Sequence, residues 1–173
     1  SIKTIDYDFD SSFVIGLEGQ KRNYELFYYH PNDIFIDSGV VKAKGFFLEL
    51  MDQKVNYFRF LSEKIEVKLE EFKFIFLRQD PPFNMHYITS TYLLDCLPKS
   101  TTVINNPTAV RNAAEKILPY KFKEFMPPTL ISQRVEEIKI FFNRHKDIIT
   151  KPLYGNGGEG IHRSKNEHIE GIN

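Results

Sequence analysis

A chain of 173 residues suits one well-filled core or two small ones. Its 23 lysines and arginines balance 23 aspartates and glutamates, so the overall field gives no reason to expect nucleic acid or an anionic membrane as a partner, and any anion site must be local. One cysteine, Cys96, allows no internal disulfide. With neither a basic-then-apolar signal segment nor a long uncharged apolar run in these residues, the composition predicts a cytoplasmic protein in which Cys96 is a small buried hydrophobe.

In chain order, Asp10-Ser11-Ser12-Phe13 opens a helix with Asp10 or Ser11 as its cap, Phe13, Val14 and Leu17 on one side, and an end near Arg22 or Asn23. Residues 24–29 read as a strand, and His30-Pro31-Asn32-Asp33 as a turn. Between positions 34 and 50 two apolar runs are split by Asp37-Ser38-Gly39, a hairpin-like break, and residues 55–60 and 65–69 add short strands. The almost unbroken apolar run 72–78 predicts a strand buried on both faces, as at the centre of a parallel sheet.

That run delivers Arg78 at its carboxyl end, where ligands of open α/β sheets bind, and Pro81-Pro82 behind Asp80 holds the turn extended. Arg78 and Asp80 are therefore candidates to face a ligand, or to pair with each other or cap the next helix. Residues 84–97 follow as that helix and 101–104 as a short strand. Asn106 then caps a helix with Pro107 in its first position, running to about Leu118 and carrying Arg111, Glu115 and Lys116. Prolines 119, 127 and 128 mark a domain boundary between Asn106 and Pro128.

Beyond it, residues 129–132 read as a strand, 134–145 as a helix burying Val135, Ile138, Phe141 and Phe142, and 147–151 as a strand ending at Lys151. A loop with Gly155, Gly157, Gly158 and Gly160 comes next. Glycines let backbone amides approach an anion, and a lysine adds a point charge to phosphate oxygens. No Gly-Lys-Ser/Thr follows the glycines, so this is not a P-loop; the stretch reads equally as a hairpin turn to a strand at 160–163.

Four spaced stretches in one order carry a resemblance: Arg78-Gln79-Asp80-Pro81-Pro82-Phe83, the segment from Asn106 to Lys116, Pro128-Thr129-Leu130, and Lys151-Pro152-Leu153-Tyr154-Gly155-Asn156-Gly157-Gly158. With them the chain resembles bacterial glutathione synthetase, of the ATP-grasp superfamily, collinearly from about Asp10 to Arg163. The resemblance implies an α/β fold: a pre-ATP-grasp domain with a mostly parallel sheet over residues 1–115, then an incomplete α+β ATP-grasp subdomain over 116–173. It implies an enzyme that joins γ-glutamylcysteine to glycine with ATP and Mg2+, and a homo-oligomer. Lys116, Lys151, Gly155, Asn156, Gly157 and Gly158 are expected at ATP, and Arg78, Asp80, Ser11 and Ser12 at the peptide substrate; no residue is assigned the chemical step.

Gln79 stands where the family commonly has lysine, Asn84 and Asn112 where it has aspartate, Ala114 where it has asparagine, and Tyr154 where aspartate precedes the loop. The chain is expected to begin after the family's first strand and to end before the second ATP-grasp subdomain. Metal ligands are expected in that second half rather than here, and little or no ligase activity is expected of the 173 residues by themselves. Two other readings are a related ATP-grasp carboxylate-amine ligase with another substrate, and a non-catalytic remnant of the enzyme.

Overall fold

The structure, a computed structural model, describes residues 2–155 and 157–165. The chain forms two compact units, one of residues 1–80 and 84–111, the other of residues 81–83 and those from 112 on. In the first unit Asp10 caps helix α1 (Ser11–Lys21). The Ser12 and Phe13 amides donate to its carboxylate at 2.7 and 3.0 Å, satisfying donors that the helix itself leaves unpaired. Phe13 is buried, whereas Val14, expected beside it, is exposed.

Strands β1 (Leu26–Asp37) and β2 (Val40–Leu50) form a long antiparallel hairpin. Ser38 and Gly39 turn it, both with positive φ (50° and 82°), as a two-residue turn between right-twisting strands requires. The expected turn at His30-Pro31-Asn32-Asp33 is instead a break in register between Tyr29 and Ile34 inside a continuous β1. Pro31 is tolerated there because a bulge on an outer strand needs no ladder donor. On its other side β2 pairs with β3 (Phe58–Phe60) and β4 (Ile65–Lys68), also antiparallel.

β2 is the spine of this unit. Val41 and Ala43 point into a cluster with Ile34, Leu69, Ile75, Leu77 and Leu94, while Leu48 and Leu50 pack with Phe13 in a second cluster. Positions 41 and 43 differ in parity from 48 and 50, so a core lies on each face of the strand.

β5 (Phe74–Phe76) and β6 (Thr102–Ile104) form a parallel pair joined through helix α2 (Met85–Asp95), which is capped by Asn84. The mixed α/β architecture is as expected, but the mostly parallel sheet is confined to this pair, because a two-residue turn returns a strand antiparallel. The apolar run 72–78 is not buried on both faces: Ile75 and Leu77 enter the core, while Phe74 and Phe76 are 38% and 46% exposed. Cys96, closing α2, is exposed rather than buried.

Helix α3 (Pro107–Asn112) starts where expected, with the Ala109 amide on Asn106 Oδ1 at 2.8 Å. It ends six residues before Leu118. The Ile117 and Leu118 amides share the Ala114 carbonyl, and Pro119, lacking an N–H and crowding the carbonyl four residues back, cannot continue α3, so Lys116 lies in a turn ahead of a 3-10 helix, Leu118–Phe125. The second unit continues with α4 (Val135–His145) and the antiparallel pair β7 (Asp147–Thr150) and β8 (His162–Lys165). Residues 129–132 form no strand. Of the four apolar positions expected inside on α4, Phe142 is buried and Val135, Ile138 and Phe141 are half-buried. Among the described residues no helix is long and apolar enough to cross a membrane.

A Cβ on Gly45 of β2 would lie 2.2 Å from the Tyr28 carbonyl oxygen and within 3 Å of the Phe27 ring. Gly45→Ala should therefore lower stability by about 1–3 kcal/mol, read as a reduced urea midpoint at constant m-value; an unchanged midpoint would contradict that close approach.

Candidate functional site

The glycine loop lies between β7 and β8, whose four paired positions set its base. Arg163 staples that base to Asp147 with two hydrogen bonds, Nε to Oδ1 at 3.0 Å and Nη2 to Oδ2 at 2.8 Å. The hydrogen bond from Arg163, aided by its charge and that of Lys165, holds the Asp147 carboxyl below its usual range. Ile148 is buried, and Lys151 emerges exposed just past the strand end.

Within the loop the glycines do two jobs. Gly155 and Gly160 flank the Pro152 ring: a Cβ on Gly160 would meet Pro152 Cγ at 2.7 Å, and one on Gly155 would meet it at 3.1 Å. Gly157 and Gly158 have φ of 61° and 81° and open space around them, so their backbone conformation, not crowding, calls for glycine. Asn156 lies outside the described residues. The stretch is thus a hairpin loop in which Gly157 and Gly158, among the described residues, carry no side chain over their backbone.

Lys116 reaches this loop from 39 positions away and donates from Nζ to the Gly155 carbonyl at 2.7 Å. Its side chain is 20% exposed, and the Glu115 carboxylate, 3.7 Å off, is itself 80% exposed. Exposure weakens that pairing, so much of the ammonium charge stays uncompensated beside the loop.

In the first unit Arg78 follows β5 and reaches the start of α1. Its Nε donates to Ser12 Oγ at 3.2 Å and its Nη2 to Ser11 Oγ. Neither local alternative holds: among the described residues Arg78 forms no ion pair with Asp80 or any other carboxylate, and Asn84 caps α2. Ser11, Ser12 and Arg78 therefore converge, leaving a guanidinium without a counter-charge. Asp80 is exposed and close enough to α2 to act on Tyr87, whose phenol is pushed up first by burial and then by the Asp80 charge.

Gln79, which the sequence marks only as a departure from a family pattern, has a buried Oε1 with no hydrogen-bond partner. Nothing in the local sequence signals this, because the burial of one side-chain atom is set by the fold. Among the described residues no group of three His, Cys, Asp or Glu side chains is placed to hold a metal ion, so the magnesium that the resemblance implies has no donor set in them.

Residues 115–172, the stretch holding Lys116, Lys151 and the loop, match the family model of the prokaryotic glutathione synthetase ATP-grasp domain, which places the second unit in the ATP-grasp class. Residues 1–111 match that of the prokaryotic glutathione synthetase N-terminal domain. The chain belongs to the prokaryotic glutathione synthetase family. It is 44% identical to the glutathione synthetase of Brucella melitensis over 160 residues, covering 92% of this chain and 51% of that one. To that of Agrobacterium fabrum it is 48% identical over 155 residues (90% and 48%), and to that of Buchnera aphidicola 38% over 168 residues (96% and 52%). The chain spans about half the length of the curated relatives it matches.

Because the Asp147 carboxyl is depressed in the folded chain, its contribution to stability is present above the ordinary aspartate range and lost as pH falls through the lowered value. Arg163→Gln should raise the Asp147 midpoint toward the ordinary value in a carboxyl-resolved NMR titration; an unmoved midpoint would show that the staple does not form.

Proposed function

We propose that the protein carrying these residues is an ATP-dependent ligase that forms glutathione from γ-glutamylcysteine and glycine. ATP supplies a phosphoryl group to the cysteinyl carboxylate, releasing ADP; the glycine amine then attacks the acyl carbon and phosphate leaves. A carboxylate is a poor electrophile, so the chain must place positive charge and amide donors around a transferring phosphoryl group and keep water from the activated acyl carbon. Lys116 and Lys151 supply the charge, and the backbone of Gly155, Asn156, Gly157 and Gly158 the donors.

The observation that carries this reading is the Lys116 ammonium set against the glycine loop from 39 positions away, an unneeded bond if the loop were only a turn. Arg78, with Ser11 and Ser12 fixing its guanidinium, offers a cation to a carboxylate of the peptide, and Asp80 an anion to its ammonium group. The boundary between a substrate-side domain, 1–115, and a nucleotide-side domain, 116–173, is supported by the change of compact unit after Arg111. A cytoplasmic protein handling small molecules rather than nucleic acid or membrane accords with the balanced charge and single thiol, and the homo-oligomer rests on the family resemblance alone. Magnesium belongs to the reading only as the companion of ATP.

In the protein carrying these residues, Lys151→Ala should slow glutathione formation by about a hundredfold, the scale for removing one preorganised donor to developing charge. Arg78→Ala should raise KM for γ-glutamylcysteine more than KM for ATP. Full activity in Lys151→Ala, or equal KM effects in Arg78→Ala, would remove those assignments.

A further inference from the structure

We propose that the first unit carries a separate, preformed binding site, a cleft on one face of β1, β2 and β3 that takes a small planar organic anion of the aromatic carboxylate kind. None of its residues is among those proposed to meet ATP or the peptide, so it stands or falls independently of that reading.

Along this face of β2 the core gives way to surface in a fixed order. Leu48 is buried with Phe13; two residues back Phe46, opposite Tyr28 of β1, is half-buried, and two further back Lys44 is exposed. Strand residues two apart share a face, so aromatic rings and then a cation follow the core. Phe60 of β3, opposite Leu48, stacks on Phe46 with ring centroids 4.1 Å apart and planes 19° from parallel. These side chains, with Ile2 and the bulge residues His30 and Asp33, line a cleft of about 260 Å³. Pockets for drug-sized ligands are usually larger, so the space suits one ring and its charged group.

The walls are held before any ligand arrives. Ile2 is pinned at both backbone groups: its amide donates to Tyr28 Oη at 3.2 Å, and Tyr57 Oη donates to its carbonyl at 3.0 Å. Bulges re-aim side chains, and the register break between Tyr29 and Ile34 brings both His30 and Asp33 to the cleft. The Asn32 amide donates to His30 Nδ1 at 3.2 Å, which leaves the ring proton on Nε2 as a donor. Lys64 Nζ lies 2.7 Å from Asp33 Oδ1 and offsets that carboxylate. Walls fixed in advance spare a ligand the cost of ordering them.

What the cleft has in excess is donors. Lys44 forms no ion pair among the described residues: Glu66, opposite it on β4, is bonded to Lys42 at 2.9 Å. The Lys44 ammonium stands 5.8 Å from the Phe35 ring centroid, a weak contact at an exposed site that a carboxylate would replace. Lys3 adds a second ammonium to the lining. Tyr28 Oη accepts from Ile2, so its own hydrogen is left to donate. An exposed lysine by itself is ordinarily just solvated; this one borders a pair of stacked rings that the core leaves half-bare. A flat apolar body against Phe46 and Phe60, with a carboxylate toward Lys44, Tyr28 and His30, matches both features. A cation would meet like charge, and a non-planar anion would leave the rings unused.

Saturation-transfer NMR with sodium benzoate, on the protein carrying these residues, tests the site. Benzoate should bind saturably at millimolar concentration, and benzylamine and acetate should not. Lys44→Met should weaken benzoate binding about tenfold, the scale of one charge-assisted hydrogen bond, while Lys44→Arg should retain it. Lys64→Met, which leaves the Asp33 carboxylate without its partner, should weaken it as well. Lys99→Met, an equal loss of charge outside the cleft, and Arg78→Ala, which removes the other candidate carboxylate site, should leave it unchanged. Absence of saturable binding to the wild type overturns the proposal, as does undiminished binding in Lys44→Met, loss in Arg78→Ala, or equal binding of benzylamine.

Discussion

A strand with a hydrophobic core on each face has no freedom to slip, since a shift of one residue would exchange every inward side chain. β2 is in that position, with Val41 and Ala43 on one side and Leu48 and Leu50 on the other. Gly45, between them, is pressed so closely to the Tyr28 carbonyl that no side chain fits. The elements that carry functional groups are referenced to this strand. Phe13 fixes α1 to one cluster, and Ile75 and Leu77 fix β5 to the other. Arg78 then joins the end of β5 to the first two residues of α1, so its guanidinium is held by two elements rather than by its own flexible stem.

The second unit holds its charge by another route. Its buried set is small, with Phe142, Ile148 and Ser164 inside, and polar links do the aligning. The Asp147–Arg163 staple sits at one end of the β7–β8 pair and the Lys116 bond at the loop. Two side chains donating to fixed acceptors give direction where packing alone would not. The staple is exposed and so responds to salt, while the four-fifths covered Lys116 keeps a stronger field for the same charge.

Local chemistry was legible wherever it determined structure unaided. Asp10 and Asn106 cap the helices that follow them, and Asp37-Ser38-Gly39 turns the hairpin. The motifs from Arg78 to Gly158 led to the family directly. What sequence could not show was set by partners distant in the chain. His30-Pro31-Asn32-Asp33 has the same composition whether it reverses the chain or bulges a strand, and the pairing with β2 decides. The run 72–78 is apolar throughout, yet only alternate positions meet a core. The approach of Lys116 to Gly155 across 39 positions, and the convergence of Arg78 on Ser11 and Ser12, follow from the fold alone.

The glycines flanking Pro152 and those at the tip look alike as letters but answer to different laws. Gly155 is small because a ring occupies the space a methyl would take; Gly157 and Gly158 are achiral because their backbone turns the way L-residues resist; Gly160, with φ of 68° beside the same ring, answers to both. Drift in this segment should therefore follow two separate rules, one of volume and one of handedness: a smaller residue at position 152 would relax the first, and would leave Gly160 held by the second together with Gly157 and Gly158.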